Sequence, residues 1–175
     1  LVPAFQGPRV AEGTYTVKLV KGETTLTGSV DLVPDPRTPH SPEDRAFQQR
    51  TAMRLYDMLE KLTWVVDTLI ELRDGAEQRS AGLKEKDRLR DDLTGYADGL
   101  EAFRSSIVAT SEAGQLSGEE KLREKLGQLY GNVVGDDGRP TDSQLARIEV
   151  LGQQLVEAVG EFETLAGDDL GRVNT

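Results

Sequence analysis

Ala52-Met53-Arg54-Leu55-Tyr56-Asp57-Met58-Leu59-Glu60-Lys61-Leu62-Thr63-Trp64-Val65-Val66-Asp67-Thr68-Leu69 is the stretch that decides the fold. Ala52, Leu55, Leu59, Leu62, Val66 and Leu69 recur at alternating intervals of three and four, which lines them up along one side of a helix. Tyr56, Val65 and Ile70 widen that line into a core-facing stripe. Just upstream, Ser41-Pro42-Glu43-Asp44 supplies an N-cap hydroxyl, a proline at the first helical position and acids in the first turn. The spacing predicts a helix over 42–73, a rod of about 48 Å at 1.5 Å per residue. A polar, glycine-containing loop is expected from Asp74 to Gly82.

The same period returns in Leu89, Leu93, Tyr96, Leu100, Phe103 and Ile107. Two helices of one 3.5-residue period joined by a short loop form an antiparallel pair, with Leu62 and Leu100 mid-stripe in a shared core. A third helix is expected to start at the capping box Ser117-Gly118-Glu119-Glu120 and to carry Leu122, Leu126, Leu129 and Val133. Gly135 is placed to end it in a left-handed conformation. After the turn Asp136-Asp137-Gly138-Arg139-Pro140, a second capping box, Thr141-Asp142-Ser143-Gln144, opens a helix with Leu145, Ile148, Gly152, Leu155, Val159 and Phe162 on one face. It is expected to stop near Gly167. The third and fourth helices read as shorter than the first two, so the first pair should project beyond them at one end.

Ahead of the helices the pattern changes to a period of two. Tyr15, Val17 and Leu19 share one face of a strand over 14–20, and Leu26, Val30 and Leu32 share a face over 25–33. Lys21-Gly22-Glu23-Thr24 between them is a hairpin turn. Val33 to Pro42 contains four prolines and reads as a stiff, extended linker. The whole is mainly α: an up-down helical bundle of about four helices preceded by a short β-hairpin arm. Its expected limits are 1–34 for the arm, 35–41 for the linker, 42–167 for the bundle and 168–175 for a C-terminal tail. A two-stranded sheet is marginal alone in water. The arm must therefore pack on the bundle, join further strands or pair with a second copy.

The chain has 175 residues, no cysteine, a single histidine and a formal charge of −10. Residues 1–40 hold four acids and four bases, so the acidic excess lies entirely in the helical part. That charge argues against nucleic acid as a partner, which calls for clustered Lys and Arg. The lack of cysteine excludes disulfides, thiol catalysis and thiolate metal sites. No apolar run reaches the roughly 18–20 residues of a membrane span. His40 lies in the proline-rich linker and reads as a surface residue, with no nucleophile motif near it. Asp136-Asp137-Gly138 fails as a calcium loop, because Gly138 at the sixth loop position would put Val133 where a carboxylate is required. Asp91-Asp92, Glu119-Glu120 and Asp168-Asp169 read as solvated or helix-end charge. Gly95 and Gly99, set among Asp92, Asp98 and Glu101, read as a close helix approach or as tolerance on an exposed face. Trp64 lies off the apolar stripe, at the bundle edge or on a contact surface. Neither catalytic residue nor cofactor nor metal is expected. The candidate interaction residues are Tyr15, Val17, Leu19 and Trp64.

Gly7-Pro8-Arg9-Val10-Ala11-Glu12-Gly13-Thr14-Tyr15-Thr16-Val17-Lys18-Leu19 resembles the Gly-Pro-x-Val-x-Pro-Gly-x-Tyr-x-Val-x-Leu strand of bacterial glycosyl hydrolase-like proteins with BNR/Asp-box, sortilin-like β-propellers. The similarity extends to Val33-Pro34-Asp35-Pro36-Arg37, to Ala52 through Asp57, to Gly135 through Gln144 and to Asp169 through Asn174. Glu12 departs from the family's more frequent proline at that position, which bears on the turn alone. The Asp-box itself is absent. The resemblance implies the C-terminal region of a larger, exported bacterial protein, with the hairpin a remnant of an Ig-like β-domain behind the propeller. Leu1-Val2-Pro3-Ala4-Phe5 is accordingly read as the start of a piece cut from a longer chain. No catalytic residue is carried over. The expected function is a non-catalytic structural or interaction domain that docks on its parent's propeller or on a second copy. The alternative is a ligand-binding module, for glycan or protein, with Trp64, Tyr96 and Tyr130 as aromatic platforms.

Overall fold

A computed structural model of the chain describes residues 7–85, 87–110, 120–169 and 171. It holds a two-stranded antiparallel sheet, β1 (Gly13–Lys21) with β2 (Thr24–Leu32), followed by four helices. These are α1 (Pro42–Ala81), α2 (Arg88–Ile107), α3 (Leu122–Val134) and α4 (Asp142–Thr164), and a π-turn, Leu165–Asp169, continues α4. The mainly helical bundle with its N-terminal hairpin is thus observed as expected.

The starts of three helices are set locally. Ser41 Oγ accepts from the Asp44 amide at 3.1 Å, and Asp87 Oδ1 accepts from the Leu89 amide at 3.0 Å. At α4 the capping box closes both ways: the Gln144 amide donates to Thr141 Oγ1 and the Thr141 amide donates to Gln144 Oε1. The expected box at Ser117–Glu120 falls mostly outside the described residues, as do the chain start at Leu1–Phe5 and most of the tail. Helix α3 instead begins at Leu122, with Glu124 accepting from the Lys121 and Ala109 amides.

Three expectations are corrected. Helix α1 does not stop at residue 73 but runs 40 residues, because Ala76 is buried and Arg73 pairs with Glu101 on α2, which outweighs the helix-weakening Gly75. At 1.5 Å per residue it is about 60 Å long. Gly135 caps α3 with φ −74°, in the right-handed region and not the left-handed one. Helix α4, at 23 residues, is longer than α2 at 20.

The helix directions follow from contacts along α1. Arg73 reaches Glu101 on α2, so α2 runs back alongside the distal half of α1. Gln48 Nε2 donates to the Val133 carbonyl and Tyr56 lies 6.4 Å from Tyr130, so α3 also runs back, along the proximal half. Arg54 pairs with Glu149 and Trp64 meets Phe162, so α4 runs parallel to α1. The order is therefore up, down, down, up, with α2 and α3 end to end along one long helix. Beyond the π-turn, where Tyr96 Oη donates to the Leu165 carbonyl at 3.2 Å, the α1/α2 pair continues without a further helix beside it among the described residues. That pair does project, as expected, although α1 provides most of the excess length.

One core serves all four helices. Leu55, Leu62, Val65 and Leu69 of α1 pack with Leu100 of α2, Leu126 and Tyr130 of α3, and Ile148 and Leu151 of α4. Met58 takes a buried place while Leu59 is half-buried, a small rotation of the expected stripe. The hairpin lies outside this core. Its turn, Gly22-Glu23, has φ +59° at Gly22 and no positive φ at Glu23, the pattern of a II′ hairpin that favours glycine first.

Candidate functional site

The strand register brings the arm's apolar residues to one face. Tyr15 stands opposite Val30, Leu19 opposite Leu26, and Gly13 opposite Leu32, with Val17 facing Gly28. Thr14, Thr16 and Lys18 share the other face with Asp31, Ser29 and Thr27. There Thr14 Oγ1 donates to Asp31 Oδ1 at 2.6 Å. The apolar face is not covered: Val17 is 54% exposed, Leu19 61% and Leu26 61%. Val30 and Leu32 are exposed as well, and Tyr15 is half-buried with its hydroxyl donating to the Ala11 carbonyl at 2.6 Å. Among the described residues, each strand also has one edge without a partner strand. Such edges template further pairing.

Trp64 is also exposed, at 57%, and stands edge-on to Phe162 at 5.3 Å and 78°. It lies on α1, about 33 Å along the helix from Pro42, whereas Tyr15, Val17 and Leu19 stand on β1, so the four candidate interaction residues belong to two elements. Tyr96 and Tyr130, the other proposed platforms, are buried in the core. Burial pushes the Tyr130 phenol up from its usual pKa.

His40 is half-buried, contrary to a plain surface reading. Its ring sits against Gly138 in the α3–α4 turn, with Nε2 3.6 Å from Asp136 Oδ1. Asp137 pairs with Arg9, and Glu12 with Arg45. The Arg45 guanidinium holds the Glu12 carboxyl below the usual carboxylate range. Sequence reasoning missed these partners, since separations of 33 and 128 residues leave no local signal.

A second charged group lies on the projecting pair. Glu101 accepts from Arg104 at 2.6 Å and from Arg73 at 2.7 Å, and those guanidinium groups, Arg104 first, draw its pKa down to about 2. Salt bridges on both sides and a half-exposed setting mark it as a brace between α1 and α2. Asp91 and Asp92 are exposed, and Gly95 and Gly99 face open space, which favours simple tolerance there. Among the described residues, no group of three or more His, Asp or Glu is placed to hold a metal ion, and no helix is long and apolar enough to cross a membrane. A shallow groove of about 260 Å³ opens where α2 hands over to α3, lined by Phe103, Ile107, Leu122 and Ala158.

Comparison with protein-family models, curated proteins and solved structures finds no match for this chain.

Proposed function

We propose that this chain is a non-catalytic structural and interaction domain that associates through its hairpin arm, with a second copy of the same chain as the partner. The observation that carries this reading is the contrast between the two parts. The helices bury their apolar stripes in one shared core, whereas the arm leaves Val17, Leu19, Leu26 and Val30 in water. An exposed apolar face of that kind on a two-stranded sheet calls for a partner.

Charge supports a second copy in that place. Residues 13–32 carry Lys18, Lys21, Glu23 and Asp31, so the arm is neutral while the helical part holds the whole excess of −10. Antiparallel pairing of β1 with its own copy about Val17 would set Leu19 opposite the copy's Tyr15 and Lys18 opposite Thr16. No like charges would meet, and the apolar face would continue across the joint. The resemblance to the C-terminal regions of exported propeller proteins supports a setting within a larger protein, where the same face would dock on the parent. Burial of Tyr96 and Tyr130 weighs against a glycan platform.

Light scattering at tens of micromolar tests the reading. A mass twice 19.2 kDa, falling to that of the single chain on deletion of residues 1–35 or in Leu19→Lys, is expected. A monomer mass with the arm intact, unchanged by the deletion, overturns it.

A further inference from the structure

Among the described residues, no hydrogen bond or ion pair joins Gly13–Leu32 to a helix. The arm is held at its root, where the chain passes twice: once ahead of β1, in residues 7–12, and once in the linker after β2.

Both passages meet one side chain. Arg45, in the first turn of α1, donates from Nε and Nη2 to the two carboxylate oxygens of Glu12, ahead of β1. Its Nη1 donates to the carbonyl of His40, in the linker. A second pair, Arg9 with Asp137, ties the leading passage to the α3–α4 turn. Tyr15 Oη, bonded to the Ala11 carbonyl, carries that attachment into β1. The linker has in addition the His40 ring seated against Gly138. The leading passage is thus held by charge and the linker by charge, packing and covalent continuity with α1.

We propose that the arm's root is a salt-releasable joint: Arg45 clamps Glu12 and the linker together at low ionic strength, and loss of that clamp frees the arm to pivot about the linker. The side chains of Arg9 and Asp137 are 68% and 52% exposed; in the clamp itself Glu12 is 41% exposed and Arg45 only 16%. The Arg9–Asp137 pair, open to water at both ends, is individually weak, and salt shortens its reach from roughly 10 Å at 0.1 M to about 3 Å at 1 M; the Arg45–Glu12 pair is reached by salt from its Glu12 end and gives way later. What survives release is the proline-rich linker, which keeps its length but not a fixed direction. The joint therefore governs how the apolar face is presented, whatever that face meets.

The absence of cysteine makes a distance measurement clean. Thr27→Cys on the arm's polar face and Ala146→Cys on the exposed side of α4 are spin-labelled, and the labelled chain is diluted in unlabelled chain so that only distances within one chain are read. A narrow distribution is expected at low salt, broadening roughly twofold at about 1 M salt as screening removes the pairs. Glu12→Gln and Arg45→Gln should show the broad distribution already at low salt. Glu12 lies outside the helices, so its replacement does not act by unfolding the bundle, and unchanged helicity by circular dichroism checks this. A distribution that stays narrow in Glu12→Gln and at high salt overturns the proposal.

Discussion

Leu62 stands at the level of α1 where α2 ends, α3 begins and α4 passes, and it is 1% exposed. Replacing it by alanine removes the equivalent of three methylene groups, a transfer loss of about 2.4 kcal/mol at about 0.8 kcal/mol each. The surroundings cannot close the gap freely, because the neighbours come from helices fixed by contacts elsewhere along their lengths. A residual cavity of about 50 Å³ would add roughly 1.2 kcal/mol at about 24 cal/mol per Å³. The expected cost is therefore about 3.5 kcal/mol. Leu100 is 0% exposed and lies one turn inside Tyr96, where α4 still reaches, so its replacement should cost a similar amount, about 3.5 kcal/mol. Guanidinium melts followed by circular dichroism measure both, on chain lacking residues 1–35 so that self-association does not shift the midpoint. For a domain of this size, Leu62→Ala should lower Tm by roughly 7–14 °C. Neutral results at both positions would refute the shared core.

Glu101 gives a pH dependence of known sign. Its folded pKa, about 2, lies below the ordinary 4.5, so its contribution is present above pH 4.5 and is lost as the pH falls toward 2. With its side chain 38% exposed, solvent screening reduces that contribution to under about 1 kcal/mol, and Glu101→Gln should flatten the acid limb of the stability curve by that amount in urea melts. Gly138→Ala would put a Cβ 2.7 Å from His40 Cε1, so the ring must move; the shifted imidazole Hε1 resonance of the single histidine reads this directly. Thr141→Ala removes the α4 cap and should cost about 1 kcal/mol, whereas Thr141→Ser should retain most of it in the same melts.

Local rules were readable where the cause was local. The caps at Ser41 and Thr141 depend on residues three positions apart, and each was identifiable because side chain and amide are joined by a single turn of chain. The stripe through Leu55, Leu62 and Leu69 was identifiable because one buried side imposes its period on the whole helix. Local signals misled at Asp74 to Gly82, where polar residues and a glycine suggested a loop. Ala76 packing and the Arg73 pairs with Asp74 and Glu101 carry the helix through that stretch, and these involve a neighbouring helix that the local pattern does not describe.

The candidate site divides in the same manner. The arm's apolar face was legible residue by residue, since alternation and a two-residue turn determine which side chains share a face and which register they keep. That the face stays open, and that Arg45 joins Glu12 and His40 at its root, depended on where α1 and the α3–α4 turn come to rest. The direction of the helices belongs to this second kind. Four apolar stripes of similar period pack comparably in several orders, and periodicity carries no sign for the direction of travel. The 40-residue length of α1, with room along it for α2 and α3 end to end, brings α4 back parallel to it. Secondary structure, faces and register were therefore determined by the chain's own short-range chemistry, and the up-down-down-up order and the charged root of the arm by packing between segments far apart in sequence.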